Sequence, residues 1–211
     1  LPSGRIIKAA AYHLGGEEDK GYWKNAVKFL KKAVRSRSKM LGEYPYDVVS
    51  VAEGDVAYTG GMEYPAITLI SGVESEQDLE ELTEHEVGHN WLYGILASNE
   101  REHPWMDEGM NSYYDQRYFK QQYGIVAPDF LGGNDAFITK RKPVDIQATI
   151  LATITGLKKD QPIATTSENF TPINYGLIAY SKAAAWMQVL EKETGTIIFD
   201  SIMHAYYEKY K

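Results

Sequence analysis

Apolar positions along the 211-residue chain change their period several times. Residues 6–13 open on β-branched Ile6 and Ile7 and predict a strand, which Gly15-Gly16 breaks. From Gly21 to about Leu41 the apolar positions Trp23, Val27, Leu30, Val34 and Leu41 recur at helical spacing among lysines and arginines. They predict a helix with a solvated basic face and Gly42 as its C-cap. Tyr44-Pro45-Tyr46 predicts a turn, and residues 47–52 and 66–70 predict two more strands. Pro65 has no amide proton, which places the strand at 66–70 either at its first residues or at a sheet edge. Such an edge suits an extended peptide adding as a further strand.

The pattern then turns helical. Ser75, with Asp78 three residues on, resembles a capping box, so a helix is predicted from Glu76. Leu79, Leu82, Val87, Trp91 and Leu92 carry it toward Ile95. A loop at 97–103 and Pro104 lead to a second helix over 105–123, with Gly124 as its stop. Residues 125–142 read as loop, 143–157 as a short helix and 158–172 as loop. A helix over 174–194 contains Ala183-Ala184-Ala185 and stops at Gly195. Thr196 is the predicted cap of the last helix, whose apolar face is Ile198, Phe199, Ile202, Met203 and Tyr206. Strands come first and helices later, so the fold class is α+β: a mixed sheet with helices, then a mainly helical part. One domain over 1–211 is expected, with sub-lobes of about 1–97 and 98–211.

Composition changes this picture little. Hydrophobic residues at 44% and charged residues at 24% are ordinary for a globular chain. A net charge of −7 argues against nucleic acid as a partner. No apolar run approaches the roughly 20 residues of a membrane span. Cysteine is absent, so no thiolate metal site exists and histidine and carboxylate are the strong ligands available. The first residue is not Met and no signal-peptide pattern follows it, so the chain reads as a segment of a longer protein, with mature termini after processing as the alternative. Compartment and oligomeric state are not assigned.

The candidate chemistry lies on the helix that begins at Glu76. His85 and His89 are four residues apart, hence one turn apart on one face, where both rings can aim at one ion. Glu86, between them, points in a neighbouring direction suited to a water on that ion. Glu108 follows His89 after eighteen residues, on the next predicted helix. Two histidines, a carboxylate, an open fourth position and a base beside it form the ligand pattern of a zinc hydrolase, with one Zn²⁺ per chain. Asn111 and Asp115, further along the second helix, are candidates to orient the ligands.

With these residues in hand, the chain resembles the aminopeptidase-N and leukotriene-hydrolase family of zinc metallopeptidases, the gluzincins. His85-Glu86-x-x-His89 with Glu108 is similar to that family's zinc signature. Trp105-Met106-Asp107-Glu108-Gly109 is similar to its Trp-Leu-Asn-Glu-Gly block. Gly60-Gly61-Met62-Glu63-Tyr64 is similar to its Gly-x-Met-Glu-Asn exopeptidase motif, with Tyr64 in place of asparagine. Tyr180-Ser181-Lys182-Ala183-Ala184 is similar to its Tyr-x-Lys-Gly-Ala block, with Ala183 in place of glycine.

The resemblance implies a thermolysin-like catalytic domain without the family's flanking β and helical domains. It implies an aminopeptidase in which His85, His89 and Glu108 hold zinc, Glu86 is the general base and Tyr180 stabilises the oxyanion. Glu63 would take the free α-amine of a peptide, and the Gly60-Gly61-Met62 backbone would hold its main chain. Two other readings stand beside it: an endopeptidase or other zinc hydrolase on the same site, and a peptide-binding module without catalysis.

Overall fold

The first half of the chain builds a four-stranded mixed sheet in the order β1-β2-β4-β3. Its strands are β1 (Lys8–Tyr12), β2 (Val48–Glu53), β3 (Gly60–Met62) and β4 (Ile67–Ser71). The computed structural model of the chain describes residues 1–15, 21–54, 60–124 and 146–211. β2 runs parallel to β1, with Lys8 opposite Val48, and parallel to β4, with Ser50 opposite Ile67. β3 is antiparallel to β4, with Gly61 opposite Ile70.

Of the two readings of Pro65, strand start or sheet edge, this pairing bears out the first and overturns the second. The strand after Pro65 is interior, flanked by β2 and β3, and the edge on that side is β3. Gly60-Gly61-Met62 has no alternation that marks a strand. Pro65 sits in the turn before β4, so its missing N–H removes no ladder bond.

α1 (Ala26–Met40) follows a single 3-10 turn at Trp23–Asn25 and buries Phe29, Leu30, Ala33 and Val34. α2 (Glu76–Gly88) starts as the capping pattern predicts: Ser75 Oγ accepts from the Asp78 N–H at 3.0 Å. Leu79, Leu82 and Val87 anchor it in the core. Three polar contacts set its register against α1. Asn25 Nδ2 donates to Glu76 Oε1 at 2.8 Å, Lys32 Nζ pairs with Glu80 at 2.8 Å, and Arg37 Nε pairs with Glu84 at 2.8 Å. Glu76, Glu80 and Glu84 form one i, i+4, i+8 stripe, which leaves His85 and His89 on the opposite side of the helix.

Contrary to the expectation of one helix to Ile95, α2 ends at Gly88. Asn90–Ile95 form a wide π-helical turn broken at Leu92 (φ −92°, ψ 101°) and Tyr93 (φ 103°, ψ −68°). The buried Trp91 secures this turn by donating from Nε1 to the Gly42 carbonyl at 2.8 Å.

The chain divides into two compact units, Leu1–Ala97 with Thr194–Lys211, and Ser98–Glu193. The last helix, α7 (Thr196–Tyr210), therefore belongs with the sheet and not with the residues before it. Phe199, Met203 and Tyr207 are its buried stripe, and the Tyr207 hydroxyl donates to the Glu43 carbonyl at 2.9 Å. Burial pushes the Tyr207 phenol up to about 12. Ile198 and Ile202, expected on the buried face, are 58% and 51% exposed. Thr196 is the first helical residue and not the cap, because Gly195 (φ 80°) occupies the cap position.

The second unit is helical. A π-helical turn at Trp105–Gly109 leads into α3 (Met110–Tyr123), which ends at Gly124 as expected. α4 (Ile146–Gly156) occupies most of the expected helix over 143–157. The loop read at 125–142 and the start of that helix lie outside the described residues. α5 (Pro172–Asn174) continues through a π-helical stretch, Tyr175–Lys182, into α6 (Ala183–Thr194). Among the described residues no helix is long and apolar enough to cross a membrane.

Candidate functional site

In the first unit, His85 and His89 are both buried, and their Nε2 atoms lie 3.1 Å apart. Two ring nitrogens this close, one helical turn apart, aim at a common point. The break after α2 decides what His89 Nδ1 faces. Gly94 N–H reaches back five residues to the His89 carbonyl at 2.8 Å, which closes the π-helical turn. The extended backbone at Leu92 turns its carbonyl toward the ring, 3.3 Å from His89 Nδ1. A carbonyl oxygen only accepts, so this contact favours the tautomer with its proton on Nδ1, while Nε2 faces His85 Nε2.

Glu86 is also buried and lies against the edge strand. A Cβ built on Gly61 would collide with the Glu86 carboxylate. Only glycine permits this approach, so Gly61 and Glu86 are matched across the β3–α2 contact. Gly60 and Met62 flank Gly61 on β3, and the Met62 carbonyl accepts from Thr68 Oγ1 at 3.0 Å. Glu63 follows at the end of the strand, partly exposed.

The residues after Glu63 form a tight turn. Pro65 and Ala66 occupy its centre, and the Ile67 N–H donates to the Tyr64 carbonyl at 3.1 Å. Ala66 has φ 64°, the left-handed region that a type II turn requires after a proline and that glycine usually fills.

In the second unit, Glu108 lies on the π-helical turn before α3 and is buried. The Tyr180 hydroxyl donates to Glu108 Oε1 at 2.5 Å. The two backbones meet closely at Gly109. A Cβ there would run into the Ala183 side chain and would stand 2.5 Å from the Ala179 carbonyl oxygen. Gly109 thus lets the Glu108 turn pack on the helix that carries Tyr180. Lys182, two residues past Tyr180, pairs with Asp160 at 2.5 Å, and the ammonium holds the Asp160 carboxyl below its ordinary range. Asn111 and Asp115 are both buried, three and seven residues along from Glu108. They are therefore not surface polar residues.

Each unit thus gathers its own share of the sequence candidates: His85, Glu86, His89 and Gly60 to Glu63 in the first, and Glu108, Asn111, Asp115 and Tyr180 in the second. Sequence reasoning missed the Leu92 carbonyl and the Gly109–Ala183 contact. Gly94 is the only local signal for the first, since no proline marks the helix break.

The sequence matches the Peptidase family M1 domain over residues 38–211. Leucine aminopeptidase 2 of Neosartorya fischeri is 26% identical over 156 residues, covering 72% of this chain and 24% of that protein. An M1 zinc metallopeptidase mutant from Deinococcus radiodurans, bound to a Tyr-Ser-Ala substrate, has a TM-score of 0.63 at 18% identity. That match covers 94% of this chain and 38% of the other. Native yeast LTA4 hydrolase has a TM-score of 0.65 at 19% identity, covering 89% of this chain and 30% of the other. The 211 residues span less than half the length of each of these proteins. The matched stretch takes in the helix of His85 and His89, the Glu108 turn and the Tyr180 helix, and on that match the chain belongs to peptidase family M1.

Proposed function

We propose that the chain carries the catalytic residues of a zinc aminopeptidase, with His85, His89 and Glu108 as ligands of one Zn²⁺. The observation that carries this reading is the pair of buried Nε2 atoms 3.1 Å apart, with His89 Nδ1 facing a backbone carbonyl. Two neutral imidazoles and a carboxylate are the donor set of a catalytic zinc, and no thiolate is available to favour a structural one. The leucine aminopeptidase relative and the peptide-bound M1 relative point to the same class of substrate.

When bound, zinc supplies a Lewis acid and lowers the pKa of its water toward neutrality. The chain's own groups do the rest. Glu86 takes a proton from water as the oxygen adds to the peptide carbonyl carbon, and returns it to the nitrogen as the C–N bond breaks. Tyr180 donates from its hydroxyl to the carbonyl oxygen as negative charge develops there. Glu63 pairs with the α-ammonium of the substrate and so restricts cleavage to the first peptide bond. The side of β3 away from β4 takes the peptide main chain as an added strand.

The test compares an aminoacyl chromogenic substrate with its N-acetyl form. The wild-type protein should cleave the free amine far faster, and Glu63→Ala should lower that rate about 100-fold with little further loss on the acetylated form. Equal rates on both substrates, or equal losses in the variant, would identify an endopeptidase.

A further inference from the structure

Asn90 directly follows the second histidine and belongs to none of the roles assigned above. It is buried, and both ends of its amide are in use. Nδ2 donates to the Val87 carbonyl at 2.9 Å, which fixes the side chain to the end of α2. Oδ1 accepts from the Ala66 N–H at 2.7 Å. Tyr44 backs this contact: its hydroxyl lies 3.0 Å from the Val48 carbonyl and 3.4 Å from Asn90 Oδ1.

Ala66 is the left-handed residue of the turn that follows Glu63 and Tyr64. A left-handed non-glycine residue is strained and persists only where its surroundings hold it. The Ala66 carbonyl is held by the Ser50 N–H at 2.8 Å, and its N–H by Asn90. Asn90 is thus the connection from the histidine helix to the turn. That turn sets where β3 ends and where Glu63 begins.

We propose that Asn90 is a positioning residue for amine recognition. It locks the Tyr64–Ile67 turn, and with it Glu63, to the end of the helix that carries His85, Glu86 and His89. The inference rests on the aminopeptidase reading, in which Glu63 meets the α-ammonium. A residue that only stabilised the fold would leave the preference for free amines unchanged. A residue that places Glu63 changes that preference, because a displacement of about 1 Å between recognition and reacting groups costs up to about 100-fold in rate.

The experiment uses Asn90→Leu, which keeps the branching at Cγ but removes both hydrogen bonds, and Asn90→Ser, whose hydroxyl is too short to reach Ala66. Two readouts are taken. The first is the ratio of kcat/KM for a free-amine substrate to that for its acetylated form. The second is amide exchange at Ala66 in the zinc-free protein. The expected result is a ratio lowered about tenfold or more, mostly through KM, with an Ala66 amide that exchanges faster than in wild type. Adding Ala66→Gly to either variant removes the left-handed cost and should restore part of the ratio. An unchanged ratio in the variants, or an Ala66 amide as protected as in wild type, would overturn the inference. If the wild-type protein itself shows no preference for the free amine, the aminopeptidase reading fails first and takes this inference with it.

Discussion

Under the proposed mechanism, replacing Glu86 by glutamine is expected to lower turnover by about 10²- to 10⁴-fold while leaving zinc binding unchanged. The side chains are nearly identical in shape, so the buried contact with Gly61 survives the exchange. An amide cannot accept the proton of the attacking water, so only the chemical step is lost. Turnover should fall with KM almost constant, as expected when an interaction made in the transition state is removed. Steady-state kinetics on a free-amine peptide, with metal analysis of the same sample, provides the check. A variant that keeps turnover would take the general-base role away from Glu86. A variant that loses metal as well would show that Glu86 helps to hold it.

The second large effect is on stability. Arg37→Ala should destabilise the protein by about 3–5 kcal/mol. Arg37 and Glu84 are both essentially inaccessible, and their 2.8 Å pair joins α1 to the helix position just before His85. Removing the guanidinium takes a charge partner from the buried Glu84 carboxylate and leaves a cavity the size of an arginine side chain. Denaturant unfolding measures the loss. The double variant Arg37→Met with Glu84→Leu is expected to recover most of it, because an apolar pair of similar volume carries no charge to desolvate. If Arg37→Ala cost less than about 1 kcal/mol, the pair would behave like an exposed one and would not set the α1–α2 register.

Much of this was legible in the sequence because local rules and tertiary packing agree. Ser75 and Asp78 start α2 where a capping pair predicts, and Gly124 ends α3. Leu79, Leu82 and Val87 are buried as their spacing requires. The departures occur where a local rule is overridden. A straight helix through Trp91 and Leu92 is the natural reading of their spacing, but the chain breaks there and the Leu92 carbonyl turns toward His89. β3 was hidden because Gly-Gly-Met has no alternation, and its glycine at position 61 answers to the carboxylate of Glu86, a residue distant in sequence. Ala66 in a left-handed conformation runs against its own propensity, and the reason lies in Asn90, which pattern alone marks as one more polar residue. The outward isoleucines of α7 misled for another reason: periodicity identifies an apolar stripe, but Tyr207 and its bond to Glu43 choose which side turns inward.

The proposed function requires one Zn²⁺ held by His85, His89 and Glu108. Metal analysis of the purified wild-type protein beside His85→Ala and Glu108→Ala tests it most directly. One zinc per chain in the wild type, lost or strongly weakened in both variants without loss of helical content, is the predicted result. Stoichiometric zinc retained in both variants, or a folded wild type that binds none, would contradict it.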